Sequence, residues 1–433
     1  MRPALRCTRA HDGDDVDHVL HRHLDPHRLG FPAGRSDNPF VRYRTLLHAY
    51  HQARAAGQSD AQIVAVIERL DGAVARVDGR GFRITPLAPH PRLAAPLGTL
   101  PPATVLVKDE TRNVAGSHKG RHLFGTMLGL LLANDRDPRQ RPPLAIASCG
   151  NAALAAAVVA RAAEWPLDVF VPPDADPSVL RRLRDLGATV VTCARDPDQA
   201  GDPTYHRMRQ AVAGGAIPFT CQGNENALAV EGGLTLGYEL AEQVRDLAIQ
   251  PDRLFVQVGG GALASSVAQG LDEARQLGVI ERLPRLHAVQ TESVAPLARA
   301  HRLLLEELRD PTDVGAAEVE RLLGAAARHR SGYMWPWEHP EGSSAHGILD
   351  DETYDWLGVE RGMLLSGGGP IVVDEATLAN ANALAHTATS IEVDVTGSAG
   401  LAGLIRLHRD GDLSPAETSL VLFTGIRRTG DPR

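Results

Sequence analysis

The sequence predicts an α/β protein with two domains of βαβ units built on parallel sheets, preceded by a helical N-terminal extension. Three observations carry that prediction. Short β-rich apolar runs alternate with helical stretches from about residue 104 to residue 423, the pattern of βαβ units. Glycine-rich turns stand between strand and helix at three places, where the strand ends of a doubly wound sheet collect ligands. Finally, a chain of 433 residues with 43% hydrophobic and 23% charged residues has room for two domains and a sizeable core.

Residues 1 to about 70 are polar and rich in His, Arg and Asp, with helices expected near Arg42–Ala56 and Asp60–Leu70. Leu46, Leu47 and Tyr50 fit one helix face, so the extension is expected to pack on the main body or on a partner subunit. His18, His21, His23 and His27 lack regular ligand spacing and read as a solvated segment. Thr104–Val107 is a short strand, and the loop after it reaches Ser117, which can cap a helix running to about Ala133.

Strands are then expected at Leu144–Ala147, Leu167–Val171 and Thr189–Thr192, with helices at Ala152–Ala163, Pro177–Leu186 and Thr204–Val212. A helix at Ala229–Gln243 leads to the strand Leu254–Val258, the helix Ala264–Glu273 and the strand Arg285–Gln290. Ile391–Val395, a turn, a helix through Leu404 and the strand Leu420–Phe423 close the pattern. Gly30–Asn38 and His339–Ser344 read as loops, and Asp350 as the N-cap of an acidic helix start.

Composition excludes several functions. A net charge of −8 without a basic run argues against nucleic acid. No run approaches the roughly 18 apolar residues of a membrane span, and the first residues lack a signal-like apolar core, so cytoplasm is expected. Cys7, Cys149, Cys193 and Cys221 are too widely spaced for a zinc site or a disulfide framework, so no metal is expected.

One bias stands out. Of 45 Lys plus Arg, only Lys108 and Lys119 are lysines. Arginine supplies charge as well as lysine does, but its guanidinium stays protonated and cannot attack a carbonyl. Lys119, beside Ser117 and ahead of an apolar helix, is therefore a candidate Schiff-base residue, a surviving surface lysine being the alternative. Ser148-Cys149-Gly150-Asn151 offers amides, a hydroxyl and a side-chain amide at a helix start, a seat for an anion or an ordinary βα turn. Gly259-Gly260-Gly261-Ala262-Leu263 can curl its N–H groups into an anion nest, but it is neither GxGxxG nor a P-loop. Thr424 follows the last strand, with Thr396-Gly397-Ser398 upstream. Its hydroxyl can bond a ring nitrogen or simply end the strand.

In this order the motifs resemble those of the fold type II pyridoxal-phosphate enzymes, a group that includes threonine synthase, the serine and threonine dehydratases and the tryptophan synthase β subunit. The resemblance covers about residues 85 to 428. Asn113–Arg121 (NVAGSHKGR) is similar to the family's N-P-T-G-S-F-K-x-R motif, SCGNA to its S-x-G-N loop and VGGGAL to its phosphate cup. It implies a large cofactor domain from 76–125 and 220–433, a small domain from 126–219, the cofactor in the cleft between them, and residues 1–75 outside it.

The resemblance further implies pyridoxal 5′-phosphate held as an internal aldimine on Lys119, which then serves as general base. The phosphate would lie on Gly259, Gly260, Gly261, Ala262 and Leu263, the ring hydroxyl on Asn151 and the ring nitrogen on Thr424. Ser117, Ser148, Cys149, Gly150 and Asn151 would bind a small amino-acid substrate, and a homodimer is expected. Ala152, where many dehydratases carry His, leans towards threonine synthase and replacement on a phosphorylated homoserine; the Gly259–Leu263 cup is closer to the dehydratases. An ammonia-lyase acting on serine, threonine or diaminopropionate, or a biosynthetic β-replacement enzyme, is the alternative, and a non-covalent nucleotide-binding regulatory domain a remote one. Val114, Ala115, His118 and Gly120 depart from the family motif, which puts a standard substrate in doubt. The segment from Trp335 to Ile348 contains Ser344-Ala345-His346-Gly347-Ile348, similar to a stretch bordering the active site in the dehydratases.

Overall fold

A computed structural model describes residues 5–11, 13–98, 104–133, 141–195, 201–308, 315–338 and 342–428. The strands are β1 (Leu87–Pro89), β2 (Val105–Asp109), β3 (Leu144–Ala147), β4 (Leu167–Val171), β5 (Thr189–Thr192), β6 (Ile217–Pro218), β7 (Arg253–Gln257), β8 (Arg285–Thr291), β9 (Gly369–Val373) and β10 (Ser419–Phe423). They form a six-stranded sheet, ordered β1-β2-β10-β7-β8-β9, and a four-stranded sheet, ordered β5-β4-β3-β6. All neighbours run parallel except β1, which pairs antiparallel with β2 at the edge. The α/β class with parallel sheets is as the sequence predicts.

The chain divides into two compact units. One comprises Leu20–Ile84 and Asn113–Thr235 with the described residues up to Cys7; the other comprises Thr8–Val19, Thr85–Arg112 and Leu236–Arg433. In the first unit the N-terminal helices supply core. The helix Asp60–Asp78 opens on a capping box between Ser59 and Gln62 and stops at Gly79, whose φ of 80° a side chain would resist. Its buried stripe Ile63, Ile67, Leu70 and Val74 follows the helical period through to the last turn. The helix therefore outruns the expected end at Leu70 and packs on the helices Lys119–Ala133 and Asn151–Ala162. The expected helix from Arg42 instead starts at His48, after a 3₁₀ turn at Arg44–Leu46. Phe40, Phe82 and Phe124, distant in sequence, meet at tilted and edge-on angles with centroids 4.4 to 5.2 Å apart and hold these parts together.

In the second unit β2, β7 and β10 are buried along their whole length, as central parallel strands require. Thr8–Val19 docks here: the Asp17 amide donates to Ala327 O at 2.7 Å, and the Asp17 carboxylate accepts from Trp356 Nε1 at 2.5 Å. Several features of this unit escaped the sequence pattern, among them β1, β9, the helices Pro296–Glu306 and Ala316–Ala326, and the helix Glu375–Thr389 capped by Asp374. Asp350 does not cap a helix. The helix begins only at Trp356, after irregular backbone through residues 351–355, where Thr353 and Asp355 lie against Gly261. Among the described residues no helix is long and apolar enough to cross a membrane.

Lys108 lies on β2 with its side chain fully buried. Its ammonium donates to Thr85 O at 2.8 Å, Glu239 Oε2 at 2.7 Å and Gln243 Oε1 at 2.7 Å, so three donors meet three acceptors. A planar guanidinium cannot match that compact arrangement, which explains why this lysine persists among arginines. Removing one partner leaves a buried charge without its counter-ion, at a cost of about 3–5 kcal/mol. Lys108→Met is expected to lose stability on that scale in denaturant unfolding, and Lys108→Met/Glu239→Leu to lose less than the two single changes summed. A Lys108→Met loss below about 1 kcal/mol would show the pair to be energetically idle.

Candidate cofactor site

In the first unit the lysine motif follows a strained turn. Asn113 Oδ1 accepts from the Val114 amide at 2.8 Å, and Ala115 and Gly116 both take positive φ, 56° and 71°. Ala115 holds that unfavourable geometry with its amide bonded to Asp78 Oδ2 at 3.0 Å. Lys119 then opens the helix Lys119–Ala133 and is half-buried, while Ser117, His118, Gly120 and Arg121 around it are buried.

Ser117 does not cap this helix. Its backbone is extended, and its fully buried Oγ has no hydrogen-bond partner among the described residues. A buried hydroxyl left unbonded costs free energy, so an orphan two residues from Lys119 is suited to a ligand. Two of the four departures from the family motif, Gly120 and His118, make packing contacts. A Cβ on Gly120 would lie 3.0 Å from Val114 O and 3.3 Å from Phe82 Cζ, a tight fit in which those neighbours would have to give by a few tenths of an ångström. His118 sets its ring edge-on to His122 at 5.8 Å, filling an aromatic slot. Arg121 is 1% exposed and donates to Thr235 Oγ1 at 3.1 Å.

The turn Ser148–Asn151 links β3 to the helix Asn151–Ala162, whose N-cap Gly150 contributes no side-chain bond. Ser148 Oγ accepts from the Gly150 amide at 3.4 Å, which curls the turn. Amides at an end without a side-chain cap favour an anion. Cys149 is exposed at this turn, and desolvation by its neighbours, reinforced by the Asp174 carboxylate, pushes its thiol up. This helix packs against both the Lys119 helix and the turn Val114–Gly116, which brings the elements bearing Ser117, Lys119 and Asn151 together.

In the second unit β7 runs into Gly259–Gly261, and Gly261 is the N-cap of the helix Ala262–Gln276 without any side-chain cap. Gly261 takes a φ of 92°, and a Cβ there would also lie 2.9 Å from Thr353 Cγ2. A Cβ on Gly259 would collide with Asp350 Oδ2 and lie 2.9 Å from Ile348 Cα. The stretch Ser344–Ile348 thus borders the glycine turn, as its likeness to the dehydratases suggested, and Asp350 lies against it. Glu338 is engaged elsewhere, accepting from Arg299 Nη1 at 3.2 Å and Trp335 Nε1 at 2.6 Å, and His346 is exposed. Residues 339–341 of the same stretch lie outside the described residues. Thr424 follows β10, is 2% exposed, and its Oγ1 accepts from Gln257 Nε2. Sequence reading missed Gln257 and Asp350. Their only early signal was adjacency, to the glycine turn and to the segment bordering it. Among the described residues no group of three or more His, Cys, Asp or Glu is placed to hold a metal ion.

Each unit, by itself, carries groups that suit pyridoxal phosphate. The glycine turn offers uncapped amides in a space no side chain can share, Thr424 presents a buried hydroxyl, and Ser117 has an orphaned one beside Lys119.

Residues 80–425 match the family described as "Pyridoxal-phosphate dependent enzyme". The threonine synthase of Methanosarcina acetivorans is 26% identical over 364 residues, 79% of this chain and 74% of that protein. The L-serine dehydratase of Saccharomyces cerevisiae is 30% identical over 197 residues, 43% of this chain and 55% of that protein. Among solved structures, a T.th. threonine deaminase superposes with a TM-score of 0.59 at 22% identity, covering 84% of this chain and 99% of that one. Diaminopropionate ammonia lyase from Escherichia coli gives 0.60 at 18% identity, covering 84% and 88%. At such identities the structural likeness speaks for the fold, and the sequence match over most of the chain speaks for the family. This chain belongs to the pyridoxal-phosphate dependent enzymes, with pyridoxal 5′-phosphate as its cofactor.

Proposed function

We propose that the enzyme catalyses elimination or replacement at Cβ or Cγ of a small amino acid, acting as a lyase of the threonine-synthase type on a phosphorylated homoserine. The observation that carries this reading is Thr424: a hydroxyl, not a carboxylate, stands where β10 ends. A hydroxyl does not hold a ring nitrogen protonated as a carboxylate does, which moderates electron withdrawal and suits β,γ-chemistry over transamination. When bound, the cofactor supplies an electron sink that acidifies the substrate Cα–H.

The chain's own residues do the rest. Lys119 carries the cofactor and moves the proton at Cα. Ser148, Cys149, Gly150 and Asn151 hold the substrate carboxylate at the helix start, with Asn151 also against the ring hydroxyl, and Ser117 supplies a further hydroxyl. Gly259–Leu263 seat the cofactor phosphate. The likeness to threonine synthase over 79% of the chain supports the substrate class. A homodimer in the cytoplasm belongs to the same proposal.

A second reading, an ammonia-lyase acting on serine, threonine or diaminopropionate, is favoured by the run of three glycines and by the 30% identity to L-serine dehydratase. Product analysis separates the two. Holoenzyme offered O-phosphohomoserine, serine, threonine and diaminopropionate is expected to release phosphate from the first, and Lys119→Arg to reduce turnover by roughly three orders of magnitude or more. Ammonia without phosphate would establish the lyase reading instead, and an active Lys119→Arg would overturn both.

A phosphate seated on the glycine turn would face the Asp350 carboxylate. Asp350→Asn removes that like charge and is expected to tighten cofactor binding by about 1 kcal/mol, or roughly fivefold, with the gain shrinking as salt rises. Fluorescence titration of the apoenzyme measures this; weaker binding by the variant would place the phosphate elsewhere.

A further inference from the structure

We propose that Asp17 is a positioning residue for the glycine turn: by holding Trp356 it fixes the direction of the Gly261 amide and so governs how tightly the cofactor phosphate is held. This rests on the seating of that phosphate on Gly259–Leu263 proposed above.

The wall against the glycine turn is irregular backbone, residues 349–355. From it the Asp355 amide donates to Gly260 O at 2.9 Å, and Thr353 Cγ2 lies 2.9 Å from where a Cβ on Gly261 would stand. A trans peptide is planar, so its N–H points opposite to its C=O. Holding Gly260 O towards Asp355 therefore turns the Gly261 N–H the other way, out of the wall. That amide stands at the start of the helix Ala262–Gln276, where N–H groups are what an anion binds. Its direction matters because a hydrogen bond weakens steeply as it bends.

Trp356 anchors the wall. It is fully buried, its amide donates to Thr353 O at 3.1 Å, and its ring stacks on Tyr333 with centroids 5.9 Å apart. Its Nε1 donates to Asp17 Oδ2, which also has Arg330 Nε at 3.8 Å. The Asp17 side chain is 4% exposed. Backbone bonds fix Asp17 independently of Trp356. Its own amide donates to Ala327 O at 2.7 Å, and Asp15 accepts from the Arg330 amide at 2.9 Å and the Ser331 amide at 2.7 Å. A carboxylate held from behind thus meets the indole at the first residue of the helix Trp356–Ser366, and the residue before that indole sets a peptide of the glycine turn. Asp17 acts through Trp356 and Asp355, and it lies in the N-terminal stretch that sequence reading left outside the cofactor domain.

The test combines titration of the apoenzyme with pyridoxal phosphate and phosphorus NMR of the loaded enzyme. Asp17→Leu removes the acceptor and is expected to weaken cofactor binding roughly tenfold, the size of one hydrogen bond to a charged group, and to move the phosphorus signal. Asp17→Asn keeps an acceptor for the indole and is expected to bind and resonate as wild type. If Asp17→Leu does not fold, Trp356→Phe decides, since it removes the indole N–H and keeps a ring against Tyr333. Asp350→Asn reports separately on the phosphate seat. If it alters affinity and signal while Asp17→Leu and Trp356→Phe behave as wild type, the role of Asp17 is overturned and the seat stands. Asp17→Asn binding as weakly as Asp17→Leu, or failure of both Asp17→Leu and Trp356→Phe to fold, would also overturn that role. If Asp350→Asn changes neither affinity nor signal, the phosphate lies elsewhere and Asp17 has no part in holding it.

Discussion

Parallel strands deliver their carboxyl ends to one edge of a sheet, and the backbone leaving that edge starts helices whose first amides have no partner. Each feature bearing on chemistry follows from that constraint. β2 leads through Asn113 to Lys119, β3 ends at Ser148–Asn151, β7 ends at the triple glycine, and β10 ends at Thr424. In the six-stranded sheet β10 lies between β2 and β7, with Phe423 in register with Asp109 and Val421 with Phe255. Thr424 accordingly emerges beside the end of β7, where Gln257 reaches it.

The two lysines of this arginine-rich chain divide cleanly between structure and proposed chemistry. Lys108 is fully buried and satisfied by three acceptors, whereas Lys119 is half-buried at a helix start beside an orphaned hydroxyl. Arginine fails in both places for different reasons. It is too broad for the first and too basic for the second. On the proposed chemistry, scarcity of lysine marks positions where the amine itself is needed, without saying what for.

The βαβ alternation and the glycine turns were legible because each rests on local spacing and on backbone that only glycine adopts. What could not be read depends on contacts made by folding. Phe40, Phe82 and Phe124 join only once the N-terminal helices pack, and that packing also sets Phe82 3.3 Å from where a Cβ on Gly120 would lie. Gln257 is 140 residues from Gly397 and 167 from Thr424, so no window along the chain contains the triad. Ser117 and Asp350 misled for the same reason. Both looked like caps by sequence, but tertiary packing left one hydroxyl without a bond and set the other's carboxylate against a glycine turn.

In a chain with two lysines, which amine carries the cofactor is nearly a binary question. Borohydride reduction of the cofactor-loaded protein, followed by proteolysis and peptide mass spectrometry, answers it directly. A pyridoxyl group is expected on the peptide containing Lys119 and none on the peptide containing Lys108. A label on Lys108, or a loaded protein that traps no label on either, would contradict that placement.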